Sequence, residues 1–207
     1  MPKEPSVAAV VLAAGRSSRM GGPNKLLAEL GGIPIVRLVV TAALASRAKP
    51  VIVVTGHQAD AVRQALDGLD AVLCHNPDFA DGLSTSLRVG IGAVPLAADA
   101  ALLLLGDMPG VTAPLVDAVI AAFQPAKAEI VVATDRGQRG NPVLWSRRFF
   151  GELAAAWGDV GGRLVMKAHA DVVREVEVGP AARLDLDTPE ALAAAGARIV
   201  HSGVKPR

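Results

Sequence analysis

The stretch LAAGRSSRMGGPNK at positions 12–25 gathers the residue types that hold an anion. An apolar run from Val7 to Leu12 stops at a small-residue turn. Gly15, Ser17, Ser18, Arg19, Gly21, Gly22 and then Lys25 follow. Glycines admit turns and close approach that a Cβ would block, so backbone N–H groups can converge on phosphate oxygens. Arg19 and Lys25 supply charge that the backbone lacks. The ligand implied is a nucleoside triphosphate. Two commoner phosphate loops do not fit: Lys25 follows Asn24 and precedes Leu26, unlike a G-x-x-x-x-G-K-[ST] loop. Nor does the segment carry the G-x-G-x-x-G glycine triplet of a dinucleotide fold.

Two acidic positions extend this chemistry. Asp107 follows Gly106 after four consecutive leucines, where a buried strand would open onto a cleft. It lies too far upstream to cap the helix expected near Thr112. Mg²⁺ takes one or two carboxylates together with phosphate oxygens and water, so a second carboxylate is expected elsewhere. The segment Leu184-Asp185-Leu186-Asp187-Thr188-Pro189-Glu190 offers one. Thr188 and Pro189 read as N-cap and first residue of a helix. That leaves Asp185 and Asp187 extended and on one side. Asp187, nearer the turn, is the favoured ligand and Asp185 the reserve.

The elements that must position these groups follow from patterning. Strands are expected at 7–13, 51–55, 71–75, 100–105, 129–134 and 172–178, mostly as continuous apolar runs suited to burial on both faces. Helices are expected at 34–47, 58–67, 84–93, 112–123, 147–156, 161–169 and 189–196. This alternation predicts an α/β fold of three layers, a mostly parallel sheet with helices on both faces. Ligands then sit at the carboxyl ends of strands. The polar clusters fall on that rim: the glycine loop, Thr55-Gly56-His57, Asn76 to Ser86, and Gly106-Asp107. Residues 135–170 have looser periodicity and read as a small substrate-facing lobe on the same domain.

Composition narrows the function classes. The 207 residues are 51% hydrophobic, enough for a sizeable core. Aromatic residues are 3% and net charge is +1, which argues against nucleic acid as a partner. Cys74 is the sole cysteine, so no disulfide framework forms within the chain. No run approaches the ~18 apolar residues of a membrane span, and a cytoplasmic location without membrane attachment is expected. Cys74 reads as a small core residue. His57 reads as a helix cap or rim contact rather than a base, and Trp157 as core or a wall of the substrate site.

Together these motifs resemble the molybdenum cofactor cytidylyltransferases, within the molybdopterin nucleotidyltransferase family of nucleotide-diphospho-sugar-transferase-like, Rossmann-like fold. The resemblance spans residue 7 to about 196. It rests on LAAGRSSRMGGPNK, VTGH (54–57), NPDFADGLSTSL (76–87), GDMP (106–109), RGNPV (139–143), GDVGGR (158–163) and DLDTPEAL (185–192). It implies one nucleotidyltransferase domain over 1–196 and a tail over 197–207. It implies CTP as nucleotide, molybdopterin cofactor as acceptor, Mg²⁺ as cofactor, and a recipient molybdoenzyme as a further partner.

By position, the resemblance places the loop from Leu12, Ala13 and Ala14 to Gly22 around the CTP phosphates. Arg19 would meet the departing phosphates, and Lys25 the α-phosphate. Asp107 and Asp187 would hold Mg²⁺. Thr55 would lie on the nucleotide rim, with Ala13, Ala14 and Ser86 near the cytosine and its sugar. Arg139, Gly140 and Asn141, with Gly161 and Arg163, would face the pterin. The guanylyl branch reads LAGG where this chain has LAAG, and the added methyl of Ala14 favours CTP over GTP. Asn141 stands where many relatives have His. Competing readings are a guanylyltransferase, another NTP transferase acting on a phosphorylated small molecule, and a non-catalytic cofactor chaperone.

Overall fold

A computed structural model of the chain describes residues 4–17, 24–155, 161–186 and 188–199. Among the described residues nine strands form: β1 Val7–Ala13, β2 Glu29–Leu30, β3 Ile33–Pro34, β4 Val51–Thr55, β5 Val72–His75, β6 Ala100–Leu105, β7 Ile130–Asp135, β8 Gln138–Ser146 and β9 Val173–Glu177. The helices are α1 Ile35–Leu44, α2 Ala59–Ala65, α3 Leu83–Gly92, α4 Ala113–Ala122, α5 Phe150–Ala155, α6 Gly161–Ala168 and α7 Pro189–Ala194. Seven strands make one sheet in the order β5-β4-β1-β6-β8-β7-β9. All its pairings are parallel except those of β8, which runs antiparallel to β6 and β7. The expected mostly parallel sheet is therefore present.

The continuous apolar runs become central strands because both faces of the sheet are covered. Side chains alternate across a strand, so β1 feeds two cores. Val7, Ala9, Val11 and Ala13 pack with Val36 and Val40 of α1, Val62 of α2 and Val116 of α4. Ala8 and Val10 pack with Leu87 of α3, Leu153 of α5 and Val165 of α6. A Cβ on Gly90 would stand 2.4 Å from Val10 Cγ1, so a glycine is what lets α3 lie against the sheet. A third, small core of Ala28, Ile35, Leu186 and Leu192 ties the C-terminal motif to the β2–β3 hairpin.

Residues 138–146 depart from the sequence reading. The segment expected as part of a lobe supplies the longest strand, paired on both sides within the main sheet. Pro142 concealed it, because proline within a run argues against a central strand. Here Val132 pairs with Val143 and Thr134 with Arg139, so Gly140, Asn141 and Pro142 bulge opposite Ala133. A bulged residue needs no ladder N–H. Arg136 and Gly137 close the β7–β8 hairpin with φ of 51° and 75°, the two-residue turn that feeds tightly paired strands.

Candidate active site

The chain builds β1, β4 and β5 outward in one direction, then returns through α3 to place β6 on the other side of β1. Adjacent parallel strands whose connections leave in opposite directions open a crevice at their carboxyl ends. Gly106, just after β6, donates its N–H to the Leu12 carbonyl at 3.0 Å, closing the base of that crevice. Above it lies a cavity of ≈ 430 Å³ lined by Leu12, Ala14, Gly15, Arg16, Lys25, Leu26, Phe79, Ala80, Gly82, Leu83, Ser86, Leu105 and Asp107.

One end of the cavity is charged. Lys25 Nζ donates to Asp107 Oδ2, with both side chains largely buried. Lys25 opens a single 3-10 turn, Lys25–Leu27, capped by Asn24. Asn24 Oδ1 accepts the Leu26 N–H at 3.1 Å, and Ser17 Oγ accepts the Lys25 N–H at 3.3 Å. Ser17 stands at φ 50° and its hydroxyl reaches Asn24 Oδ1 at 3.4 Å, so the two ends of the glycine-rich segment are clasped beside Lys25. Asp107 does not cap α4; Thr112 does, accepting the Leu115 N–H at 3.4 Å. The Asp107 carboxylate thus belongs to the cavity.

Another part of the lining is less polar. Ala14, Phe79 and Leu83 present carbon surface, and Ser86 adds a hydroxyl. A Cβ on Gly56 would fall 2.5 Å from Phe79 Cβ and 2.8 Å from Ala14 Cβ, so this glycine lets Phe79 close against the loop after β1. His57 donates its backbone N–H to the Ala14 carbonyl at 3.1 Å and tilts its ring towards Phe79, a rim contact. Cys74 is partly buried on β5, and burial raises its thiol pKa.

The acidic motif reaches the same place. Leu186, 1% exposed, donates its backbone N–H to the Asp107 carbonyl at 3.2 Å. Thr188 caps α7 by accepting the Ala191 N–H at 3.2 Å, with Pro189 opening the helix as the sequence indicated. Asp185 is exposed. Asp187 lies outside the described residues, as do Ser18, Arg19, Gly21, Gly22 and Trp157. Among the described residues no group of three His, Cys, Asp or Glu side chains forms a ready metal cluster.

The expected nucleotide residues Leu12, Ala14, Gly15 and Ser86 line the cavity with Lys25 and Asp107. Two others do not. Ala13, at the end of β1, turns its methyl into the core on the opposite face of the sheet. Thr55 is 1% exposed and its hydroxyl points to the Cys74 carbonyl at 3.5 Å, inside the sheet. Ser17 serves the clasp and is not itself part of the lining.

The expected pterin-facing residues are not gathered into this cavity. Arg139 is paired with Glu175 at 2.8 Å across the β7–β9 end of the sheet. Gly140 is a packing glycine: an added Cβ would lie 2.0 Å from the Ala182 carbonyl oxygen. The Pro180–Ala182 turn therefore packs directly on Gly140. Asn141 is half-buried in the β8 bulge, Gly161 opens α6, and Arg163 is exposed on that helix. Sequence reasoning missed Arg16, Phe79 and Leu83. Arg16 could have been found as a second cation in the glycine loop, and Phe79 as the aromatic residue between a strand end and a helix.

Residues 9–172 match the family described as MobA-like NTP transferase domain. The chain is 34% identical over 134 residues to the Bifunctional protein GlmU of Pelobacter propionicus, covering 63% of this chain and 29% of that protein. The chain thus spans less than a third of the length of such curated relatives. A nucleotidyl transferase from Methanothermobacter thermautotroptrophicus superposes with TM-score 0.80 at 25% identity, over 91% of this chain and 95% of that one. Rv0371C from Mycobacterium tuberculosis H37Rv, solved in complex with manganese, superposes with TM-score 0.75 at 31% identity, over 92% and 97%.

Proposed function

We propose, for a chain that belongs to the MobA-like NTP transferase domain family and so to the nucleotidyltransferases, that it transfers CMP from CTP to molybdenum-bound molybdopterin in the cytoplasm. The products are molybdopterin cytosine dinucleotide and pyrophosphate. The observation that carries the reading is the Lys25–Asp107 pair in the wall of the cavity at the switch point between β1 and β6.

A terminal phosphate oxygen of the pterin attacks the α-phosphorus of CTP, and the bond from that phosphorus to the bridging β-phosphate oxygen breaks. A phosphate monoester has its second pKa at about 6, so the attacking oxygen is ionised at neutral pH and needs no protein base. The obstacle is repulsion between an anion and a polyanion. Lys25 lies where it can exchange Asp107 for the α-phosphate and hold charge as it builds. Arg19 would take the departing phosphates, and the exposed Arg16 at the cavity lip adds a second cation. Positioning and electrostatics supply the catalysis, as in phosphoryl transfer generally.

The donor chemistry fits a hard divalent cation. Asp107 presents a carboxylate to the cavity, and the Leu186–Asp107 backbone bond brings the acidic motif to it. Asp107 and Asp187 would hold Mg²⁺, which when bound neutralises the phosphate oxygens. The Ala14 methyl, 3% exposed within the cavity lining, narrows the base end and favours a pyrimidine over a purine. A pterin contact by Arg139, Asn141 or Arg163 would require acceptor binding along the outer rim, beyond the cavity.

Pyrophosphate release from CTP, UTP or GTP, with Mg²⁺ and molybdopterin cofactor supplied, tests the reading. Release with CTP and formation of the cytosine dinucleotide are expected. Release with GTP in its place would move the chain to guanylyl transfer. Release only with a sugar 1-phosphate would replace the acceptor. Cofactor binding without release would favour a chaperone.

A further inference from the structure

The hydroxyl oxygen of Ser86 accepts a hydrogen bond from a residue outside the cavity lining. Asn76, 1% exposed, sits just after β5, and its Oδ1 accepts the Asp78 backbone N–H at 3.0 Å. A backbone N–H can only donate, so this bond fixes which end of the amide is oxygen. The Nδ2 group must then donate, and it does so to Thr85 Oγ1 and Ser86 Oγ, each at 2.9 Å. Both amide hydrogens are used. Thr85 passes its own proton to the Gly82 or Asp78 carbonyl, each 2.9 Å away.

Ser86 differs from Thr85 in one respect. Its oxygen accepts from Asn76, yet among the described residues no protein group takes its proton. Ser86 is 4% exposed and lines the cavity, so the outlet for that proton is the cavity and the molecule that fills it. Its neighbours on that wall, Ala14, Phe79 and Leu83, offer carbon surface suited to a flat ring. The charged end at Lys25 and Asp107 suits phosphate.

We propose that Asn76 is a positioning residue that, by filling one lone pair of Ser86 Oγ, turns the Ser86 proton towards the nucleobase, and so favours a base presenting an acceptor there, as cytosine does at N3. Uracil carries a hydrogen on N3; it could bond the second lone pair of Ser86 Oγ only by leaving the Ser86 proton without an acceptor. The inference rests on the nucleotide reading above and adds the residue pair that discriminates between pyrimidines.

Asn76→Asp tests the polarity directly. A carboxylate still accepts from Asp78 but can only accept from Ser86, whose lone pairs would then face the cavity. Titration calorimetry of CTP and UTP with wild type, N76D, S86A and the double variant reads the affinity ratio. The CTP:UTP ratio is expected to fall about tenfold or more in N76D and in S86A, the scale of one buried hydrogen bond. Adding N76D to S86A is expected to change it no further. A ratio within twofold of wild type in either single variant overturns the proposal. So does an N76D effect that persists undiminished in the S86A background. Should N76D melt below the assay temperature, Asn76→Ala, which removes the donor to Ser86 without adding charge, takes its place with the same expected and overturning results. A wild-type preference for GTP would end the cytidylyl reading but leave this inference to be judged by the ratio changes.

Discussion

Lys25 and Asp107, 82 residues apart in the chain, meet as an ion pair whose side chains are 15% and 11% exposed. Neither is a neighbour of the other in any local element. The pair exists because β1 and β6 are adjacent in the sheet and both carboxyl ends open onto one crevice.

Lys25→Ala and Asp107→Ala are each expected to lower pyrophosphate release by about 10²–10³-fold, the scale of losing one charge-stabilising group. Far-UV circular dichroism should match wild type, since neither side chain is part of the main cores. Near-normal turnover in either purified variant removes its role.

Gly56→Ala places a methyl 2.5 Å from Phe79 Cβ, closer than real Cβ contacts come. Phe79 must move, and the cavity lies beside it. Overpacking of this kind costs about 1–3 kcal/mol. A lower melting temperature and weaker triphosphate binding are expected together, read by calorimetry. Unchanged binding would show that Phe79 does not shape the site.

Gly140→Ala drives a methyl into the Ala182 carbonyl. The Pro180–Ala182 turn leads directly to Leu186, which holds the Asp107 carbonyl. The substitution is expected to destabilise by about 1–3 kcal/mol or more and to lower turnover through Asp107. Thermal melts and steady-state kinetics check both. A stability loss with unchanged kcat would uncouple the turn from the site.

Glu177 gives a pH-dependent feature away from the site. Its carboxylate accepts N–H groups of Arg136 at 3.0 Å, Gly137 at 3.3 Å and Gly179 at 3.2 Å, and the Thr134 hydroxyl at 3.0 Å. The Arg136 bond contributes most in holding its pKa below the ordinary 4.5. A depressed carboxyl stabilises the fold above its unfolded pKa, and that contribution fades as pH falls through the lower folded value. Hydrogen-exchange protection of the Arg136 and Gly137 amides, corrected for intrinsic rates, is expected to drop on acidification below about pH 4.5. Glu177→Gln should flatten that dependence; a profile unchanged by the substitution would refute the assignment.

Local sequence determined what depends on neighbours in the chain. The runs at 7–13, 51–55 and 100–105 became strands with those bounds, because burial on both faces demands continuous apolar side chains. Thr188-Pro189 opened a helix, because an N-cap hydroxyl and a residue lacking N–H satisfy a helix end by themselves. Which of these elements would touch was decided by tertiary structure. The bulge that let Pro142 sit inside a strand depends on β7. Gly140 is reserved for Ala182, and Gly56 for Phe79, because those partners approach from distant segments. Thr55 and Ala13 face inward by the strand alternation that the fold phases. Side-chain type supplied the chemistry; the sheet order and the close approaches decided which groups share a cavity.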